Sequence, residues 1–125
     1  MKRLGLGLAL FLAAVPLQGC NDDCPELEDE ARALRDEAAA CSAGDSCMFV
    51  NMYDIAGENN CLLPFQCDKP VNANTDLEAL RSRARRIVKD FDGCNTCAMA
   101  DCMPTDMLVL RCDETLGRCV AEVKP

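Results

Sequence analysis

The sequence predicts an α+β fold: two amphipathic helices on a small antiparallel sheet with a C-terminal hairpin, held by disulfides. Three observations carry that prediction. Two stretches repeat apolar residues at helical spacing. Two short runs rich in strand formers flank a glycine-bearing turn near the C-terminus. Eleven of the 125 residues are cysteine, a density that marks a disulfide scaffold.

The first helix is predicted from Pro25 to about Ala40. Pro25 suits the first helical position, and Glu26, Glu28, Asp29 and Glu30 lie near the positive end of the dipole. Leu27, Ala31, Leu34, Ala38 and Cys41 share one narrow stripe. Cys24 and Cys41, at its two ends, would be ~25 Å apart and cannot pair with each other. Ser42 to Ser46 reads as a turn around Gly44-Asp45, and Cys47 to Tyr53 as a short strand. Asp54 to Asn74 reads as irregular, because Gly57, Pro64 and Pro70 break any period.

Thr75-Asp76-Leu77-Glu78 matches a capping box and opens the second helix, whose apolar face is Leu77, Leu80, Ala84, Ile87, Val88 and Phe91. Gly93 is placed to end it as a C′ glycine, with Cys94 fixing the end covalently. A compact Cys- and Met-rich turn follows, through Pro104. Met107 to Cys112 and Arg118 to Val123 then form the hairpin, with Glu114 to Gly117 as its turn.

The N-terminus reads as a targeting segment. Lys2 and Arg3 precede an apolar run from Leu4 to Leu17, about 14 residues against the ~20 that a spanning helix needs. It closes on Leu17-Gln18-Gly19-Cys20, which resembles the lipobox of bacterial lipoprotein precursors. The resemblance implies cleavage before Cys20 and a diacylglyceryl group on its sulfur. The expected organisation is a signal peptide over 1–19, a lipidated tether over 20–23 and a disulfide-stapled domain over 24–125. The short link Asn21-Asp22-Asp23 would hold that domain within ~10 Å of the anchor. No later stretch is long and apolar enough to span a bilayer, but the lipid places the chain among membrane-associated, palmitate-bearing lipoproteins.

Cysteine arithmetic agrees with this reading. An odd count in an exported chain leaves one sulfur over. Setting Cys20 aside leaves ten for five bridges: Cys24, Cys41, Cys47, Cys61, Cys67, Cys94, Cys97, Cys102, Cys112 and Cys119. Roughly nine hundred connectivities are open to ten cysteines, and spacing does not choose among them. Short loops such as Cys41 to Cys47, Cys61 to Cys67 or Cys112 to Cys119 would each contribute about 2 kcal/mol.

Charge and composition exclude several functions. The net charge of −8 becomes −10 once Lys2 and Arg3 are removed, so nucleic acid and anionic surfaces are poor partners. There is no histidine, which excludes Ser-His-Asp and Cys-His catalysis of the usual kinds and Cys2His2 zinc sites. Cys94-Asn95-Thr96-Cys97 is a C-x-x-C, but it follows a helix C-terminus, where the dipole opposes a thiolate. Cys94, Cys97, Met99 and Cys102, with Met103 and Met107, are the residues that a Cu(I) or thiol-redox site would use. Met99, Met103 and Met107 recur at every fourth position, as on a helix face. Oxidised half-cystines with core methionines are the competing reading, favoured in an oxidising compartment. Arg81, Arg83, Arg85, Arg86 and Lys89 form a basic run that reads as the solvated side of the second helix.

From Cys61 to Val120 the chain resembles small cysteine-rich lipoproteins of Gram-negative bacteria, particularly those of myxobacteria. The residues that carry the resemblance are Cys61, Cys67, Pro70-Val71-Asn72, the capped helix, Gly93-Cys94, Cys97, Cys102-Met103-Pro104, Cys112 and Gly117-Arg118-Cys119-Val120. It implies a cell-envelope protein and carries over no catalytic residue.

The sequence therefore predicts a lipid-anchored envelope protein with a non-enzymatic binding or structural role. No cofactor, metal or nucleic acid is expected, and the membrane is met through the lipid. An envelope or extracellular partner is expected, with the loop Asp54 to Asn60 as one candidate for presentation. Asn21 after the lipidated cysteine points to the outer membrane, on its periplasmic or surface face, by the enterobacterial sorting rule. Intact-mass analysis of the membrane fraction should find a mature N-terminus at Cys20 carrying acyl mass, lost in Cys20→Ala. An unacylated Cys20 would remove the anchor.

Overall fold

The computed structural model describes residues 23–125. The signal peptide expected over 1–19, the lipidation expected at Cys20 and the link through Asp22 lie outside the described residues.

Helix α1 runs Cys24–Ala39 and buries Leu27, Ala31, Leu34, Ala38 and Ala39. Helix α3, named for its place in the chain, runs Leu77–Phe91 and buries Leu80, Ala84, Ile87 and Phe91. Both bury the stripe that their periodicity marks, and they pack against each other. The start of α3 differs from the expected capping box. Asp76 is the N-cap, accepting from the Ala79 amide at 3.2 Å. The Thr75 hydroxyl instead donates to the Ala38 carbonyl of α1 at 3.2 Å, and Glu78 pairs with Arg81. A tertiary acceptor thus takes Thr75, and the neighbouring Asp supplies the cap. The helix end differs too. Asp92 stays in the right-handed region and Gly93 has no positive φ. The Cys94 amide closes the turn on the Phe91 carbonyl at 2.9 Å.

Strand β1 covers Cys47–Asn51, and the short helix α2 covers Met52–Ala56. The expected strand through Tyr53 stops two residues early, because the Asn51 side chain accepts from the Tyr53 amide at 2.9 Å and starts a helical turn. Met52, Ile55 and Ala56 are then buried at i, i+3 and i+4. Strand β2, Asp68–Asn72, lies inside the stretch expected to be irregular. It pairs antiparallel with β1, with Pro70 opposite Phe49 and Val71 opposite Met48. Pro70 conceals the strand in the sequence but is tolerated here, since each strand of a two-stranded sheet keeps one side without a ladder.

Between α2 and β2, a 3-10 turn at Leu63–Phe65 seats Phe65 with no exposed surface. Two buried amides organise this loop. Asn60 Nδ2 donates to the carbonyls of Gly57 and Phe65 at 2.7 and 2.8 Å, and its Oδ1 accepts from the Leu62 amide. Gln66 Nε2 donates to the carbonyls of Asn60 and Ala98, and its Oε1 accepts from the Ala100 amide at 2.8 Å. Gln66 therefore pins the 98–100 segment, which has no regular structure, to the core.

Strands β3, Leu108–Asp113, and β4, Arg118–Val123, form the expected hairpin in antiparallel register. Asp113 Oδ1 accepts from the amides of Thr115 and Leu116, and Gly117 supplies the positive φ of 71° that closes the turn. The fold is thus α+β with two two-stranded sheets, β1–β2 and β3–β4. They meet where β4 lies along β2 and α1, with Ala40 bridging to Arg118. The buried apolar cluster comes from α1, β1, α2, the 63–65 turn, β2 and α3. Beyond Phe91, only Cys119 is a buried apolar residue.

One reading from sequence is corrected. Placing the folded chain among membrane proteins does not hold as a description of this domain, because no helix among the described residues is long and apolar enough to cross a membrane. For stability, Phe65→Ala should cost about 3–5 kcal/mol and Asp76→Ala about 1 kcal/mol in denaturant unfolding with the bridges intact.

Candidate functional site

Every cysteine from Cys24 onward is bonded: Cys24–Cys94, Cys41–Cys112, Cys47–Cys119, Cys61–Cys97 and Cys67–Cys102. Each bridge joins one of the first five of these cysteines to one of the last five. The short pairings Cys41–Cys47, Cys61–Cys67 and Cys112–Cys119 do not form. The actual separations range from 35 residues for Cys67–Cys102 to 72 for Cys47–Cys119. Loops of that size give about 4 kcal/mol each by chain entropy, roughly double the short-loop figure, though nested loops do not add.

Two bridges share a small space, and the hairpin register explains why. Cys112 and Cys119 stand directly opposite each other on β3 and β4. Cross-strand partners project from the same face of the hairpin. Cys41 and Cys47 bracket the turn after α1, at whose base Ser42 and Asp45 close on each other. The hairpin face therefore meets the two ends of that turn, and the bridges stand side by side. Cys41, Cys47 and Cys119 bring their sulfurs within 4.8 Å of one another. Cys119 is buried, while Cys41, Cys47 and Cys112 are partly exposed. This grouping requires knowledge of which strand opposes which turn, and sequence spacing does not contain it.

The residues singled out at 94–107 are arranged differently. Cys94 bonds to Cys24 at the start of α1, and Cys97 and Cys102 bond to Cys61 and Cys67 of the loop before β2, so the C-x-x-C is not itself a disulfide. Met99 Sδ lies 4.0 Å from Cys97 Sγ. No helix covers 94–104, so the every-fourth spacing of Met99, Met103 and Met107 does not build a helix face, and all three are exposed. The sulfur grouping with metal-ligand spacing among the described residues is at 41, 47 and 119 instead.

The basic run on α3 is largely committed to structure. Arg83 forms a two-pronged pair with Glu37 of α1, and Arg81 pairs with Glu78. Arg85 donates to the carbonyls of Ile55 and Asp54, at 2.9 and 3.2 Å. That contact ties down the start of the Asp54 to Asn60 segment, whose far end is the buried Asn60. The candidate presentation loop is thus anchored through Ile55, Ala56 and Asn60, while Asp54, Glu58 and Asn59 stay exposed. The Arg83 hydrogen bond, aided by the Arg83 charge, holds the Glu37 carboxyl below the usual carboxylate range against the opposing effect of burial.

These features define a small, cysteine-rich, disulfide-bonded α+β protein. Comparison of the chain with models of known protein families, with curated proteins and with solved structures finds no match.

The lowered Glu37 pKa predicts a pH dependence. A carboxyl depressed in the folded state stabilises above its unfolded pKa, and that contribution fades as pH falls through the folded pKa. The stability difference between the native chain and Glu37→Gln should therefore favour the native chain at neutral pH. It should disappear on acidification below the usual Glu range and shrink with added salt, because the pair is exposed. Denaturant unfolding across that pH range measures it.

Proposed function

We propose that the protein is a lipid-anchored cell-envelope domain with thiol chemistry, in which the grouped Cys41, Cys47 and Cys119 exchange disulfides and, when reduced, hold a soft ion such as Cu(I). The observation that carries this is the mutual approach of three sulfurs to within 4.8 Å. The location is supported by the lipobox-like Leu17-Gln18-Gly19-Cys20, by the apolar run before it, and by Cys20 being the one cysteine left over from five bridges.

The exchange is chemically balanced. A thiolate of an external dithiol attacks one sulfur of the Cys41–Cys112 bond, forms a mixed disulfide and expels the other sulfur as a thiolate. When Cys41 is expelled, it lies within 4.8 Å of both sulfurs of the Cys47–Cys119 bond and can displace either one. The bond then migrates with no net oxidation or reduction. Opening both bonds fully consumes four electrons and four protons, supplied by two dithiols. Three of the resulting thiolates form the soft ligand set that Cu(I) prefers.

The second reading is a non-enzymatic binding or structural module. It is favoured by the pairing of every cysteine among the described residues, which serves a scaffold without further chemistry. Limited reduction by a dithiol, followed by alkylation and peptide mapping, separates the two. Thiol chemistry predicts trapped Cys41–Cys47 or Cys41–Cys119 species, absent in a Cys41→Ser/Cys112→Ser variant. It also predicts one Cu(I) per chain reduced only at Cys41–Cys112 and Cys47–Cys119, in competition with a chromophoric chelator, lost in Cys47→Ser/Cys119→Ser. Concerted opening of all five bridges, with no migrated bond and no retained Cu(I), leaves the scaffold reading.

A further inference from the structure

Away from the sulfurs, a cleft of about 330 Å³ opens between α1, β2 and β4. Three cations line it, one from each element: Arg35, Lys69 and Arg118. Two carboxylates, Asp36 and Asp68, line it as well, which leaves one positive charge in excess on a strongly acidic chain. Pro70, Val120 and Ala121 add an apolar wall.

The cations are incompletely satisfied. A single Asp36 oxygen serves two guanidiniums, at 2.9 Å from Arg35 and 3.7 Å from Arg118. Arg35 Nε is buried and has no hydrogen-bond partner among the described residues. A buried charged donor without an acceptor is costly, so Arg35 is held beside the cleft with part of its hydrogen-bonding capacity unmet. Lys69 has no ion-pair partner among the described residues. Burial, and secondarily the neighbouring Arg35 charge, push its ammonium below the usual lysine range.

We propose that this cleft binds a monoanionic carboxylate carried on a short aliphatic body, with the carboxylate between Arg35, Lys69 and Arg118 and the aliphatic part against Pro70 and Val120. The single excess charge matches a monoanion better than a phosphate dianion. Guanidinium forks suit a carboxylate, and the apolar wall suits a few methylenes. The volume admits a ligand at the small end of the usual range. The site uses none of the sulfurs, so it stands or falls separately from the thiol chemistry.

Amide chemical-shift titration of the oxidised protein tests this. The probes are butyrate and a short peptide with an aliphatic C-terminal residue, in free-acid and amidated forms. Saturable shifts are expected at residues 35, 69, 118 and 120. Lys69→Ala and Arg118→Ala should each weaken binding by about tenfold, the effect of losing one charged hydrogen-bond donor. Asp36→Asn removes the competing carboxylate and should tighten binding severalfold, whereas Arg86→Ala on α3 should leave it unchanged. Tighter binding of the peptide would identify a chain terminus as the ligand, and equal binding of butyrate a free acid. Either result supports the site provided that amidation abolishes binding. Shifts that do not saturate, that centre on the α3 arginines, or that persist after amidation would overturn it.

Discussion

The architecture depends on one covalent constraint: all five bridges cross from the segment 24–67 to the segment 94–119. The apolar burial is uneven. Residues from Leu27 to Phe91 supply the buried cluster, and beyond Phe91 only the half-cystine Cys119 is buried. The last third of the chain therefore has little hydrophobic reason to stay on the body. The 94–104 segment has no ladder or helix of its own, and an isolated two-stranded hairpin is marginal in water. Bridges, with Gln66 holding 98–100, provide what burial does not.

The same constraint sets the local chemistry. Cys24–Cys94 closes α1 onto the end of α3, and Cys61–Cys97 and Cys67–Cys102 lay the irregular segment along the 61–67 loop. Cys67 takes a left-handed φ of 65°, unfavourable for a residue with a Cβ. Its carbonyl accepts from the Met52 amide at 2.8 Å while its sulfur is bonded to Cys102, so it is fixed from both sides. The hairpin arrives last and must be bonded through both strands. Because Cys112 and Cys119 share one hairpin face, their bridges cannot be spread apart, and crowding of sulfurs follows directly from the register.

Much of the fold was legible because it rests on local patterns. The stripes of α1 and α3, the Glu114 to Gly117 turn and the paired hairpin runs are each written within one short stretch of chain. What was not legible depends on tertiary partners. β2 is hidden by Pro70 and appears only because β1 pairs with it. Thr75 looks like a cap until the Ala38 carbonyl offers it another acceptor. The run after Cys47 reads as strand through Tyr53 until Asn51 caps a helix. For the candidate site the limit was sharper. Cysteines close in sequence, such as Cys94 and Cys97, are separated onto different partners, whereas Cys41 and Cys119 meet across most of the chain. Spacing records neighbours along the chain, and bridges record neighbours in space.

Strand β4 links the sulfur group to the cation cleft. Side chains alternate faces along a strand, so Arg118 and Val120 share one face while Cys119 between them points to the other. Arg118 and Val120 line the cleft, with Ala121 at its edge also in the lining, and Cys119 is buried in its bond to Cys47. The strand is thus held to the body on its Cys119 side and presents Arg118 on the opposite side. An exchange that leaves Cys41 bonded to Cys119 would move β4 from Cys47 to Cys41, whereas one that leaves Cys41 bonded to Cys47, or opening both bonds, would release the hairpin from the turn at 41–47. The seam between body and hairpin therefore sets a disulfide and a charged surface back to back, because β4 carries both Cys119 and Arg118.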